Sequence, residues 1–215
     1  MLSSTGFVGR ISYHLRLREL PLDVVGEFWS SARERVSSYE KLKILAVTGG
    51  VPRYLESVNP KVSTERNIEL LCFRPGAMLL DEFERLFSTL FLNKTASLKG
   101  IVKALVNGSS DYQQLSKLTK RSTGGALSED LKILTESGFV AQDLTYSLSN
   151  HKPTKKKTYR LADNYLRFYL KYIEPVRARI EQGVFGFKSF ASLQNWESIL
   201  GLQFENLILN NKRLV

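Results

Sequence analysis

The chain has 215 residues, 43% of them hydrophobic, 24% charged and 11% aromatic, with a net charge of +10; such a balance supports one or two buried cores and places the chain among soluble globular proteins, excluding the disordered class. No run approaches the roughly 18 apolar residues of a spanning helix, and MLSSTGFVGR lacks the basic-then-apolar order of a secretory leader, so a cytoplasmic protein without a membrane partner is expected. A single cysteine, Cys72, excludes an internal disulfide, and His14 and His151 provide no ligand set for zinc.

The chain opens with a strand pattern. ISYHLRLREL alternates Ile11, Tyr13, Leu15 and Leu17 with polar neighbours until Pro21 ends the run. One strand alone has nothing to pair with, so the sheet it belongs to is missing, and its exposed edge near Ile11 invites a second copy of the chain. Helical patterns follow in PLDVVGEFWSSA, SYEKLKILAV, PRYLESV, ERNIELLCF and AMLLDEFERLFSTLF, with Asn59-Pro60 and Pro75-Gly76 as breaks. Cys72 falls inside one of these helices and reads as a buried structural thiol. Within TGGVPRYLE, Gly49 and Gly50 leave the backbone bare just before Pro52 begins a helix. That bareness fits a plain joint between helices or the close approach of a ligand.

The next block has the clearest architecture. LKGIVKALVNG is an amphipathic helix closed by Asn107-Gly108, Ser110 and Gln113 have capping-box spacing for DYQQLSKLTK, and GALSEDLKILTESG forms a third helix ending at Gly138. FVAQDLTYSL then alternates Val140, Leu144, Tyr146 and Leu148 to one side, SNHKPTKKK forms a polar tip, and TYRLAD returns as the partner strand. Three helices and a basic hairpin are the order of a winged helix.

This block is also where the charge lies, since residues 94 to 160 contain 12 of the basic side chains and only five acidic ones. Such a field attracts nucleic acid, although a solvated basic face is the commoner origin of a charge run. Lys152, Lys155, Lys156, Lys157 and Arg160 of the hairpin, with Lys120 and Arg121 before the third helix, are the candidate nucleic-acid contacts. Glu129, Asp130 and Glu136 oppose Lys132 on the third helix and would repel phosphate if they faced it. Base readout is therefore not expected, and a winged helix that packs on protein stays open beside DNA binding.

From Asp163, DNYLRFYLKYIEPVRARIEQG carries an apolar stripe of Leu166, Tyr169, Leu170 and Ile173 interrupted at Pro175, and ILGLQFENLILNN forms the final helix. Spacing of this kind is that of core.

The order GGVPRYLE, FRPGAMLLDEF, the three helices with hairpin, YRLAD running into NYLRFYLKYIEP, IEQG and GLQFENLI resembles the prokaryotic AAA-type ATPases often called archaeal ATPases, near the STAND class, which carry a C-terminal domain similar to PD-(D/E)XK nucleases. The resemblance spans nearly the whole chain. It implies a mainly α fold with a small β component: residues 1–20 as the last strand of an otherwise absent ATPase core, 21–92 as a helical lid, 93–162 as a winged helix, and 163–215 as the truncated start of the nuclease-like domain. Members bind ATP and magnesium through a core with a G-x-x-x-x-G-K-[ST] loop and an acidic strand end, and this chain has neither. The chain is accordingly expected to be inactive alone as an ATPase, with the missing core as a partner.

The resemblance further implies that Gly49, Gly50, Pro52 and Arg53 lie near bound nucleotide, and that Arg10 is a phosphate sensor or arginine finger. Glu205 matches an early acidic position of the nuclease-like domain, but its metal-binding partners lie beyond Val215, so no metal site is expected. The expected function is a nucleotide-responsive lid coupled to a DNA-binding winged helix; a stand-alone binding module that ignores nucleotide is the alternative.

Overall fold

The computed structural model describes residues 19–32, 36–91, 94–147 and 152–214. Arg10, the strand pattern of Ile11 to Leu17 and its edge fall outside the described residues.

The first helices begin where their caps dictate. After α1 (Leu22–Val25) and a tighter turn kinked at Trp29, Ser37 accepts the Glu40 N–H at 3.2 Å and starts α2 (Ser38–Thr48). Residues Lys43 to Thr48 are all buried, so the end of α2 is enclosed on every side. Pro52 occupies the first turn of α3 (Pro52–Glu56), and Ser63 caps α4 (Thr64–Cys72) through the Arg66 N–H at 3.2 Å. Cys72 is fully buried, and desolvation pushes its thiol far above the usual range, which makes it inert. The amphipathic α5 (Met78–Phe91) turns Leu79, Leu80, Phe83 and Phe87 inward.

Three further helices precede the hairpin: α6 (Thr95–Ala104), α7 (Tyr112–Leu118) and α8 (Gly125–Ser137). Gly138 ends α8 with φ at 88°, the left-handed conformation that favours glycine. Two details differ from the sequence expectation. The capping box of α7 belongs to Asp111 and Gln114, one residue later than Ser110 and Gln113. Ser110 is instead drawn into a two-residue strand, β1 (Ser110–Asp111), which is too short to leave a periodic signal.

The hairpin strands are β2 (Val140–Ser147) and β3 (Lys152–Leu161), antiparallel, with β1 on the other edge of β3 so that the order is β1-β3-β2. The return strand begins at Lys152, not Thr158: Lys152 pairs with Ser147 and Lys157 with Leu144, while Lys155 and Lys156 lie between them on the strand, where the register shifts. Backbone pairing overrides the low strand preference of lysine here. Register pairs Val140 with Leu161, and both are buried; the same face further out carries Leu144 opposite Lys157, with Leu144 59% exposed beyond the core.

The C-terminal segment returns to the first helices. It comprises α9 (Asn164–Phe168), a widened turn over Tyr169–Ile173, a tight turn at Pro175, α10 (Arg177–Glu181) and α11 (Trp196–Asn210). Both α9 and α11 pack on α2. Leu166, Tyr169, Leu170 and Ile173 are buried as their spacing predicts. Phe83 stacks on Tyr169 with ring centroids 4.5 Å apart, and one hydrophobic cluster runs through α2, α4, α5, α6, α8, α9 and α11. The molecule is thus mainly helical with one small antiparallel sheet. No helix among the described residues is long and apolar enough to cross a membrane.

Candidate functional site

The glycine pair meets its own chain. Gly49 ends α2 with φ at 59°, and Leu20 donates its N–H to the Gly50 carbonyl at 2.8 Å while the Gly50 N–H reaches Glu19 Oε2 at 3.2 Å. A Cβ on Gly50 would lie 2.4 Å from the Leu20 carbonyl oxygen, and one on Gly49 would lie 2.6 Å from Glu19 Oε1. The bare backbone therefore seats the Glu19-Leu20 segment. Pro52 and Arg53, on the first turn of α3, are exposed beside it.

Glu19 also faces Asp163. Burial, then the Asp163 charge, pushes the Glu19 carboxyl well above its ordinary range, against the Gly50 N–H. Asp163 caps α9 by accepting the Leu166 N–H at 2.8 Å, so of the two carboxyls it is the better supported as an anion. Tyr54, whose hydroxyl donates to Glu82 Oε1 at 3.1 Å, is held protonated by burial and then by the charge of Asp163.

The basic residues divide into two groups. Arg160 is only 8% exposed; its Nε donates to Asp143 Oδ2 at 2.7 Å and its Nη1 to Asn206 Oδ1 at 2.5 Å. It faces α11 across a cleft whose rim includes the exposed Glu205, and it is not presented to a ligand beyond the hairpin. Arg121 lies 2.9 Å from the buried Asp130. Lys120, with φ at 53°, is exposed just after α7. Lys152, Lys156 and Lys157 are exposed on β3; Lys156 pairs with Asp111 at 3.0 Å, whereas among the described residues Lys157 pairs with no carboxylate.

The acidic residues of α8 are tied down. Asp130 points inward, accepting from Ser97 and lying 3.6 Å from Lys94, whose Nζ also donates to Glu129 at 2.8 Å. Glu136 sits 3.8 Å from Lys132. Their negative charge is therefore locally compensated; the Lys132–Glu136 pair follows from spacing along the helix, whereas the partners of Glu129 and Asp130, Lys94 and Arg121, lie off it.

Between α7, α8 and β3 lies a groove the sequence reading missed. Tyr112 and Tyr159, both part-exposed, sit within it, and Gln113, Ser128, Lys156 and Lys157 line it. The Tyr112 hydroxyl donates to the Gly124 carbonyl at 2.9 Å and accepts from Ser128 Oγ at 3.0 Å, which fixes the ring. Asp111 at its edge is spent on the α7 N-cap and on Lys156, which hold its carboxyl below its usual range.

A buried polar network joins this unit to the rest. Arg167, 1% exposed, donates to the carbonyls of Leu161 at 2.5 Å and Val106 at 3.2 Å and to Gln203 Oε1 at 3.1 Å. Gln203 Nε2 donates to the carbonyls of Ala46 at 2.8 Å and Asn164 at 2.7 Å, and Asn206 Nδ2 donates to that of Leu161 at 2.8 Å. The end of β3, the loop after α6, α2, α9 and α11 are thereby held in one register. No group of three or more potential metal ligands occurs among the described residues.

No family model and no solved structure matches the chain. An uncharacterised protein of Methanocaldococcus jannaschii is 26% identical over 201 residues, covering 93% of this chain and 43% of that protein. The chain spans less than half the length of this relative.

Proposed function

We propose that residues 93–162 form a winged helix that grips duplex DNA through its phosphate backbone, carried on a helical lid of an AAA/STAND-type nucleotide-responsive protein. The observation that carries this reading is the exposed Lys156-Lys157 pair on β3, with Lys157 unopposed among the described residues, while the acidic side chains of α8 are locally compensated. The element order α6-β1-α7-α8-β2-β3, with β3 central, supports the winged-helix part. The buried network supports the coupling: Arg167 holds Leu161 of the wing, Gln203 holds Ala46 of the lid, and the two are hydrogen-bonded to each other, so displacement of one carries the other. ATP and magnesium would be held by a core of the kind the resemblance implies. Within this chain, Gly49 and Gly50 serve the lid by seating Glu19 and Leu20.

Lysines on a wing contact phosphates and carry affinity without sequence choice. Fluorescence anisotropy with blunt duplexes of about 20 base pairs tests this: the Lys156→Ala/Lys157→Ala variant weakens binding to a similar degree for unrelated sequences. Equal affinity of that variant and the wild type contradicts the reading. The mixed outer face of α8, with Glu129, Lys132 and Glu136, favours a second reading in which the unit packs on protein; failure of wild type to bind any duplex is the result that would favour it.

A further inference from the structure

We infer that the groove between α7, α8 and β3 takes one unpaired nucleotide, so that the wing prefers DNA with a single-stranded overhang to blunt duplex; this rests on the DNA-binding reading above. The groove combines two aromatic side chains with cations. Tyr159 comes from the central strand, paired to Ser110 on one side and Gln142 on the other, and its backbone is therefore fixed on both edges. Tyr112 stands at the start of α7, with its hydroxyl held between Gly124 and Ser128. The Tyr112 ring, already immobilised, loses little entropy when a base stacks on it.

The polar lining matches the rest of a nucleotide. The Gln113 amide carries both donors and an acceptor, and the Ser128 hydroxyl, though donating to Tyr112, keeps acceptor capacity for a base edge. Lys157, which pairs with no carboxylate among the described residues, lies beside these on β3, where a phosphate attached to the stacked base would meet it; Lys156 is paired with Asp111. Asp111 is the opposing charge, and it is already neutralised by Lys156 and by the N–H of Gln114. A duplex cannot use the rings, because its bases are stacked within the helix; an unpaired base has a free face. The two tyrosines are therefore idle in blunt-duplex binding and engaged by an overhang.

The test measures wild type and Tyr159→Leu against one labelled duplex, blunt or bearing a short thymidine overhang, with each variant's fold verified by circular dichroism. Wild type should bind the overhang form about tenfold more tightly, the size expected for one stacked base, and Tyr159→Leu should bring that ratio close to one. An overhang carrying iodouracil should also photocrosslink to Tyr112 or Tyr159 in wild type. A wild-type ratio near one, or a ratio that survives in folded Tyr159→Leu, overturns the inference while leaving backbone binding intact. Loss of the backbone reading shows separately, as blunt-duplex affinity unchanged by Lys156→Ala/Lys157→Ala.

Discussion

Arg160 on β3 donates to Asn206 on α11 at 2.5 Å, which ties the central strand of the sheet to a helix 46 residues further along the chain. Together with Arg167, this makes the hairpin part of the helical body instead of an appendage. Burial, and then the Arg160 charge, pulls the Arg167 pKa down to about 10, against the opposing charges of Glu205 and Asp163, and its N–H groups are taken up by carbonyl acceptors.

Arg167→Met should therefore be strongly destabilising. It leaves the Val106 carbonyl and Gln203 Oε1 without their donor, and the Leu161 carbonyl with Asn206 alone, in a site only 1% exposed. A buried acceptor left unsatisfied costs about 1–3 kcal/mol, so the loss of two lowers Tm by about 10 °C in a chain of this size. A fall of less than about 2 °C in a thermal melt would show that the network does not hold the two parts together.

The glycines give opposite signs. Gly50→Ala places a Cβ 2.4 Å from the Leu20 carbonyl oxygen, a backbone atom that cannot step aside, and should destabilise by about 2 kcal/mol. Gly100, inside α6 and exposed with open space around its Cβ position, should gain about 0.5–1 kcal/mol on change to alanine. Urea titration of both variants checks this, and a neutral Gly50→Ala would mean that Glu19-Leu20 does not rest on the turn.

Stability should fall as pH rises above the ordinary carboxylate range. The Glu19 carboxyl is raised from its ordinary value of 4.5, so its proton is held more tightly in the folded chain than in the unfolded one. Its favourable contribution is fully present below that value and is lost as pH climbs toward neutrality. Glu19→Gln keeps an acceptor for the Gly50 N–H but has no proton to lose. Melting curves at about pH 5 and about pH 8 should show the variant gaining on wild type by a few degrees at the higher pH. Parallel behaviour of the two proteins would contradict the burial of a carboxyl there.

Local signals survived well from sequence to structure. Gly138 closed α8 and Pro175 broke the third block, since these residues act through their own backbone. The buried stripe of Leu166, Tyr169, Leu170 and Ile173 was equally plain. What sequence reasoning missed depends on distant partners. Arg160 sits in a run of exposed lysines, and only contact with Asp143 and Asn206 distinguishes it. One sign was present: Gln203, Asn206 and Asn210 lie at spacings of three and four on α11, a polar stripe that a core tolerates only when it has partners. The role of Gly49 and Gly50 was hidden for the same reason, since nothing local connects them with Glu19.

The central claim, that the β3 lysines hold the DNA backbone, is tested most directly by the salt dependence of duplex binding. In wild type, log K should fall linearly with log salt, and Lys156→Ala/Lys157→Ala should flatten that slope by about 2, close to one unit for each phosphate contact removed. An unchanged slope in the double variant would contradict the account, because it would place the contacts with DNA elsewhere on the molecule.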